Sequence, residues 1–346
     1  MTEQRRAGVL GVATVFTGTI VGAGFASGRE GLLFFAAYGP VGLAGTVLAG
    51  VLMALAGAEL VHRGRLAGGR TAAVLTDISG RLAPALDVII FTTLLADLGV
   101  MLAGGATVAA QGLGLGYGFS LAINGLVVAI LGSMGLVGLL WVNTLVVPAL
   151  ATTVVVTVGA DLLGGNWRHI AAAPGSPGAA AGHWVVAAVL YAAYNLLLAI
   201  PVLVALGPAT SPANGRRGAY LGGGILGGLT ALVTAAVLAH LPQSAASDLP
   251  LVHVAAGLGS HAAAVFRAVI WAETFTTAVA NLFALLARLG GSWALPLVAV
   301  ATAAGSLGFA RLVGFLYPAE GWLGLAVLIA LLIKRGRPRR RPPSSP

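Results

Sequence analysis

Polar residues are so sparse in this chain that they act as punctuation. A helix of about 20 apolar residues crosses a bilayer. Runs of that order recur at 7–37, 40–62, 82–111, 118–138, 141–162, 184–206, 217–241, 260–289, 292–310 and 312–333. Charges, Gly/Pro clusters and short polar loops separate them. The pattern predicts an all-α integral membrane protein with ten transmembrane helices. The first, third and eighth runs are longer than a perpendicular crossing needs, which tilt or an interruption would explain. The longest weakly apolar linkers are Gly164–His183 and Pro242–Ser260. The first of these divides the chain into a five-helix unit (1–163), an external linker (164–183) and a second five-helix unit (184–333). Residues 334–346 form a basic tail, "KRGRPRRRPPSSP".

Composition strengthens the membrane reading. The chain is 58% hydrophobic and 8% charged, whereas soluble domains carry roughly 25% charged residues. The net charge of +9 raises the question of nucleic acid, but no recognition element accompanies the basic tail. The tail is expected to be disordered and suits anionic lipid headgroups better. Of the 19 Lys and Arg residues, only Arg29, Arg168, Arg267 and Arg311 fall on the side away from the termini. Positive residues favour the cytoplasm, so both termini are expected there, in a bacterial inner membrane. The absence of cysteine excludes disulfides and thiolate chemistry. A cleaved signal peptide is not expected, because Arg29 and Glu30 follow the first run where a mature domain would begin.

Two runs are poorly made as helices, and each opens one of the five-helix units. "TIVGAGFASG" holds Gly18, Gly22, Gly24 and Gly28, or lies next to them; "VLYAAYNLLLAIPVL" holds Tyr191, Tyr194 and Asn195 ahead of Pro201. Taken singly, the glycines suit close helix packing and the proline suits a kink. Together they predict discontinuous helices 1 and 6, the arrangement that marks a transporter's binding site. Unwound backbone at membrane depth survives only where protein or a cavity encloses it. Gly22, Ala23 and Gly24 would then bring backbone to a solute, with Tyr191, Tyr194 and Asn195 as further contacts. For the tyrosines, simple aromatic packing stands as the alternative.

"TIVGAGFASGREGLLFF", "YAAYNLLLAIPVL" and "AETFTTAVANLFALLARL" resemble the matching segments of YkvI-like bacterial membrane proteins, within the amino acid–polyamine–organocation superfamily. That resemblance implies the five-plus-five inverted repeat of the leucine-transporter fold. It also implies a candidate Na⁺ site between the first-span break and the eighth span. The carbonyls of Gly18 and Val21, a carbonyl near Glu273, and the Thr276 and Thr277 hydroxyls would form it, all hard oxygen ligands. Thr276 and Thr277 returning hydrogen bonds to their own helix is the structural alternative. Arg29 departs from the pattern, which has a neutral glutamine there.

Intramembrane acids are functional candidates. Glu273 shares a helical face with Thr276 and Thr277 and could bind Na⁺ or carry a proton. Asp97 lies on the third helix, which lines the cavity in that fold. It could meet a substrate amine, relay protons, or simply pair with Arg267. Glu30 would hold the break or face the vestibule, with Arg29 snorkelling to the interface. Asp87, Glu59, His62 and Arg63 read as interfacial anchors, as do the histidines near the outer face. The glycine-rich "LGGGILGGLT" lacks the lysine and strand context of a phosphate loop, and no enzyme signature is present. The expected function is cation-coupled secondary transport of a small amino acid or related solute, with Na⁺ ahead of H⁺ and no other cofactor. A channel or ion-only transporter, and a non-transporting receptor or scaffold, remain the alternatives.

Overall fold

The computed structural model describes residues 7–133 and 136–335, for 133 and 136–145 the backbone alone. The fold is helical, and among the described residues a lone β-bridge joins Ala7 to Thr210. The first apolar run is split into α1 (Val9–Ile20), α2 (Ala23–Ser27) and α3 (Arg29–Phe34). After it come α4 (Gly42–Leu66), the short α5 (Thr71–Ser79), α6 (Ala83–Leu113), α7 (Tyr117–Ser133) and α8 (Leu136–Leu163). The second half contains α9 (Trp184–Leu206), α10 (Pro212–Ala239), the short α11 (Leu241–Ala246) and α12 (Pro250–Gly257), then α13 (Ser260–Leu289), α14 (Ala294–Gly305) and α15 (Phe309–Ile333). Seven helical stretches among the described residues are long and apolar enough to cross a membrane; Val9–Ile20, Tyr117–Gly132 and Gly291–Gly305 are apolar but shorter.

Helices from the two halves interleave: α10 packs on α4 and α1, α9 on α4, and α13 and α14 on α6. Small residues set the closest crossing. An ideal Cβ at Gly223 would lie 2.5 Å from Ala54, and one at Gly50 would lie 2.9 Å from the Gly227 Cα. The glycine-rich stretch of α10 is therefore a packing surface, where small residues let backbones approach.

The first run breaks where its glycines predict. Val21 and Gly22 are extended, with ψ of 108° and −166°. The last bond of α1 runs from Val21 N–H to the Thr17 carbonyl, and the first bond of the next turn runs from Ala26 N–H to the Gly22 carbonyl. The carbonyls of Gly18, Thr19 and Ile20 thus receive no backbone donor among the described residues. A second bend follows at Gly28, whose φ of 83° lies in the left-handed region that glycine tolerates.

The sixth run does not break. Contrary to the expectation of a discontinuous helix 6, α9 is continuous from Trp184 to Leu206 with Pro201 inside it. Asn195 Nδ2 donates to the Tyr191 carbonyl one turn back, at 3.0 Å, and so ties the helix together where it was expected to open. Proline removes one N–H, a defect that a packed membrane helix absorbs as a kink. Packing of α9 on α4 and α15 supplies that support.

The first and last described segments lie at the same end of the bundle. Ala7 N–H donates to the Ala209 carbonyl at 2.8 Å, and Lys334 Nζ donates to the Asp77 carbonyl at 2.6 Å. Lys334 is thereby committed to protein, as is Arg335, which donates to Tyr220 Oη. The rest of the basic tail expected at lipid headgroups lies outside the described residues, as do Arg5 and Arg6. Arg63 is the hub at this end. It is 4% exposed, bonds Glu59 at 2.6 Å and the Lys334 carbonyl at 2.7 Å, and pairs with Asp77. It thus clamps α4, α5 and the end of α15, so the surface anchor expected at Arg63 is a buried tie. Asp87 is exposed and pairs with Arg288 at 3.2 Å.

Two stability predictions follow from this packing. Arg63→Ala leaves Glu59 buried without its partner, a loss of about 3–5 kcal/mol for a broken buried pair, and should lower the unfolding temperature of the detergent-purified protein. Gly24→Ala should also destabilise, by about 1–3 kcal/mol of overpacking, because a Cβ there would meet Tyr317 at 2.8 Å. Gly224→Ala, facing open space inside α10, is the control and should not lower the unfolding temperature, since alanine is the better helix former.

Candidate functional site

Six carboxyl groups are buried among the described residues; Glu59 and Asp161 are ion-paired, and the other four are sealed in the bundle without such a partner. Glu30 on α3 and Asp97 on α6 are each 3% exposed, Glu273 on α13 is 1%, and Glu320 on α15 is 4%. The ion pairs among the described residues lie elsewhere, at Arg63, His240 and Arg288. An ionised carboxylate left alone in low dielectric is very costly. These groups therefore need a proton, a bound cation or strong hydrogen bonds.

Asp97 has the hydrogen bonds. Asn281 Nδ2 donates to its Oδ2 at 2.7 Å, and Tyr317 Oη donates to its Oδ1 at 3.1 Å. The Tyr317 ring stacks on Tyr194 with centroids 4.8 Å apart, and Tyr194 stacks in turn on Phe34 at 5.6 Å. Tyr191 meets Tyr194 edge-on at 5.5 Å. Glu30 turns its carboxyl toward the Tyr191 and Tyr194 hydroxyls, yet its Oε2 and the Tyr194 hydroxyl lack an aligned hydrogen bond. Both oxygens of Glu320 and Oε2 of Glu273 are likewise without a partner among the described residues. Gly24 has no side chain because Tyr317 and Glu30 occupy that space. The second piece of the broken helix thus backs directly onto this polar centre.

The expected site residues divide into two groups. Gly24, Glu30, Asp97, Tyr191 and Tyr194 are brought together. Gly22 faces Met101 of α6, one turn from Asp97, with its ideal Cβ 3.5 Å from the Met101 methyl. Asn195 is spent on its own helix. Among the candidate Na⁺ ligands, Thr277 Oγ1 approaches Glu273 Oε1 at 3.4 Å, while Thr276 Oγ1 returns its proton to the Glu273 carbonyl at 3.1 Å. Gly18 turns toward Val147 of α8, and α2 packs on α13.

Two readings need correction. Asp97 does not pair with Arg267, whose Cδ lies 3.3 Å from the ideal Cβ position of Gly112, at the far end of α6. Arg29 does not snorkel to lipid: its Nη1 donates to the Ser247 carbonyl at 3.0 Å, tying α3 to the link between α11 and α12. Three members of the centre were missed: Glu320, Tyr317 and Asn281. Glu320 carries the same signal that singled out Glu273, an acid inside an apolar run. Asn281 lies eight residues beyond Glu273, on the same face of α13.

No family model matches the chain. Over 98% of its length it is 28% identical to the membrane protein YkvI of Bacillus subtilis, covering 99% of that protein. It is also 26% identical to YyaD of the same organism, over 91% of this chain and 94% of that one. Among solved structures it resembles inward-facing Mhp1, with a TM-score of 0.64 and 15% identity over 96% of this chain and 79% of that one. It resembles the Eremococcus coleocola manganese transporter at 0.58, with 13% identity over 97% and 82%. At such low identity these structures speak for the fold: the chain is a multi-pass membrane protein with the fold of these transporters.

Proposed function

We propose that this protein is a cation-coupled secondary active transporter that moves a small amino acid or related organic solute by alternating access. The observation that carries this reading is the set of buried carboxyls, Glu30, Asp97 and Glu320, gathered behind a broken helix without a basic partner. Transport cycles use such groups because their charge depends on what is bound. A proton or cation that neutralises the centre lowers the cost of moving it through a closed, dry state. Collapse of the break onto the neutralised centre then couples the ion to the solute. Glu320, with both oxygens unpartnered, favours H⁺ as the ion. The Thr277–Glu273 contact favours Na⁺ at a neighbouring position.

The interleaving of the two halves, with α9 and α10 on α4 and α13 and α14 on α6, and the fold shared with these transporters support a five-plus-five inverted repeat of ten spans, 1–163 and 184–333. The basic residues at the clamped end support cytoplasmic termini in a bacterial inner membrane. Resemblance to transporters, with no catalytic constellation in the sequence, argues against an enzyme.

The test is uptake into proteoliposomes of individual amino acids under an imposed pH or Na⁺ gradient. Wild type should concentrate at least one of them, and collapsing the driving gradient should abolish accumulation. Glu320→Gln and Asp97→Asn should each cut gradient-driven accumulation by more than about tenfold, while Glu320→Gln retains solute exchange between the two sides. Uptake indifferent to both gradients would sink the coupling. Unsaturable ion flux with no solute transport would instead identify a channel.

A further inference from the structure

At the end of the bundle opposite the termini lies a cavity of about 380 Å³, within the ~300–1,000 Å³ range of small-molecule sites. Thr107 and Gln111 at the end of α6 form one wall, Tyr117 of α7 another, and the link from α14 into α15 a third. Tyr117 is fixed there by donating to the Gly305 carbonyl at 2.6 Å. Two charges of opposite sign line the space: Asp248, in the link between α11 and α12, and Arg311, in the first turn of α15.

Neither charge is spent on the other. The ion pairs among the described residues lie elsewhere, so Asp248 and Arg311 stand more than 4.0 Å apart across the same cavity. Arg29 lies within electrostatic reach of Asp248 but gives its hydrogen bond to the Ser247 carbonyl. A cavity flanked by a carboxylate and a guanidinium that are not paired with each other is complementary to a ligand with an ammonium at one end and a carboxylate at the other. Guanidinium in particular forms paired hydrogen bonds with carboxylate.

The cavity floor points inward. Phe309 lines it and is itself buried, with its ring 3.2 Å from the ideal Cβ position of Gly104. Below that ring the same face of α6 continues through Met101, beside the Gly22 break, to Asp97. One face of one helix therefore runs from the cavity to the carboxyl centre, with Phe309 packed on it at Gly104.

We propose that this cavity is a first binding station for a zwitterionic solute, whose ammonium meets Asp248 and whose carboxylate meets Arg311. As a station on a transport path the proposal rests on the transporter reading; as a binding site it does not.

The experiment measures binding to the purified full-length chain in lipid nanodiscs. The probes are glycine, L-alanine, L-serine and L-proline, each compared with its amide and its N-acetyl derivative. Wild type should bind at least one free amino acid and bind its amide and N-acetyl forms about tenfold more weakly or worse. Arg311→Gln should weaken the free amino acid to the level of its amide, and Asp248→Asn to the level of its N-acetyl form. The charge exchange Asp248→Arg with Arg311→Asp should restore part of the affinity, since a zwitterion can bind reversed. The proposal falls if none of the free amino acids binds wild type, if amides bind as tightly as acids, or if both single variants bind like wild type. Proteoliposome uptake separates the two readings. Uptake whose KM is unchanged in both single variants overturns the station and leaves the transporter. Binding as described with no uptake of any probe overturns the transporter and leaves the site.

Discussion

The cost of holding carboxylates in an apolar interior governs this molecule. A bundle with few charges anywhere has placed four acids without an ion pair where water does not reach. Hydrogen bonds from Asn281 and Tyr317 meet that cost at Asp97, whereas Glu320 has no such relief. The aromatic stack of Phe34, Tyr194 and Tyr317 keeps the centre dry and so makes its charge state consequential. A wetter pocket would screen the same acids into indifference.

The two ends of the bundle differ in how they are held. At the end with the termini, Arg63 joins three segments through a buried ionic hub. At the other end, long loops cross over one another and are joined mostly by backbone and single side-chain contacts, such as Tyr38 Oη to the Ala181 carbonyl at 2.5 Å and His240 to Asp161 at 2.9 Å. Several such weak contacts can be exchanged one at a time, while a buried ionic hub releases all at once.

Much of this was legible in the sequence. The apolar runs located the helices, and the boundaries of the sixth and eighth runs coincide with α9 and α13, because a membrane span has a length that hydrophobicity must match. The break in the first run was legible because glycines there leave little else to hold a helix. Helix continuity at Asn195 and Pro201 was not, since the same residues serve a kinked helix and an unwound one. The choice depends on whether Asn195 bonds its own helix or a neighbour. Asp97's partners were hidden for another reason: Asn281 and Tyr317 lie 184 and 220 positions away, and no local pattern announces a contact that tertiary packing makes. Glu320 was visible and passed over.

The left-handed joint at Gly28 carries a mechanical implication. Leu251 of α12 fills the space beside it, 2.9 Å from where a Cβ would stand, and the next residue, Arg29, grips the Ser247 carbonyl. The joint is thus braced from both sides of the link between α11 and α12. The six-residue α3 that follows the joint also holds Glu30, so one short helix touches both the link between α11 and α12 and the buried carboxyl centre.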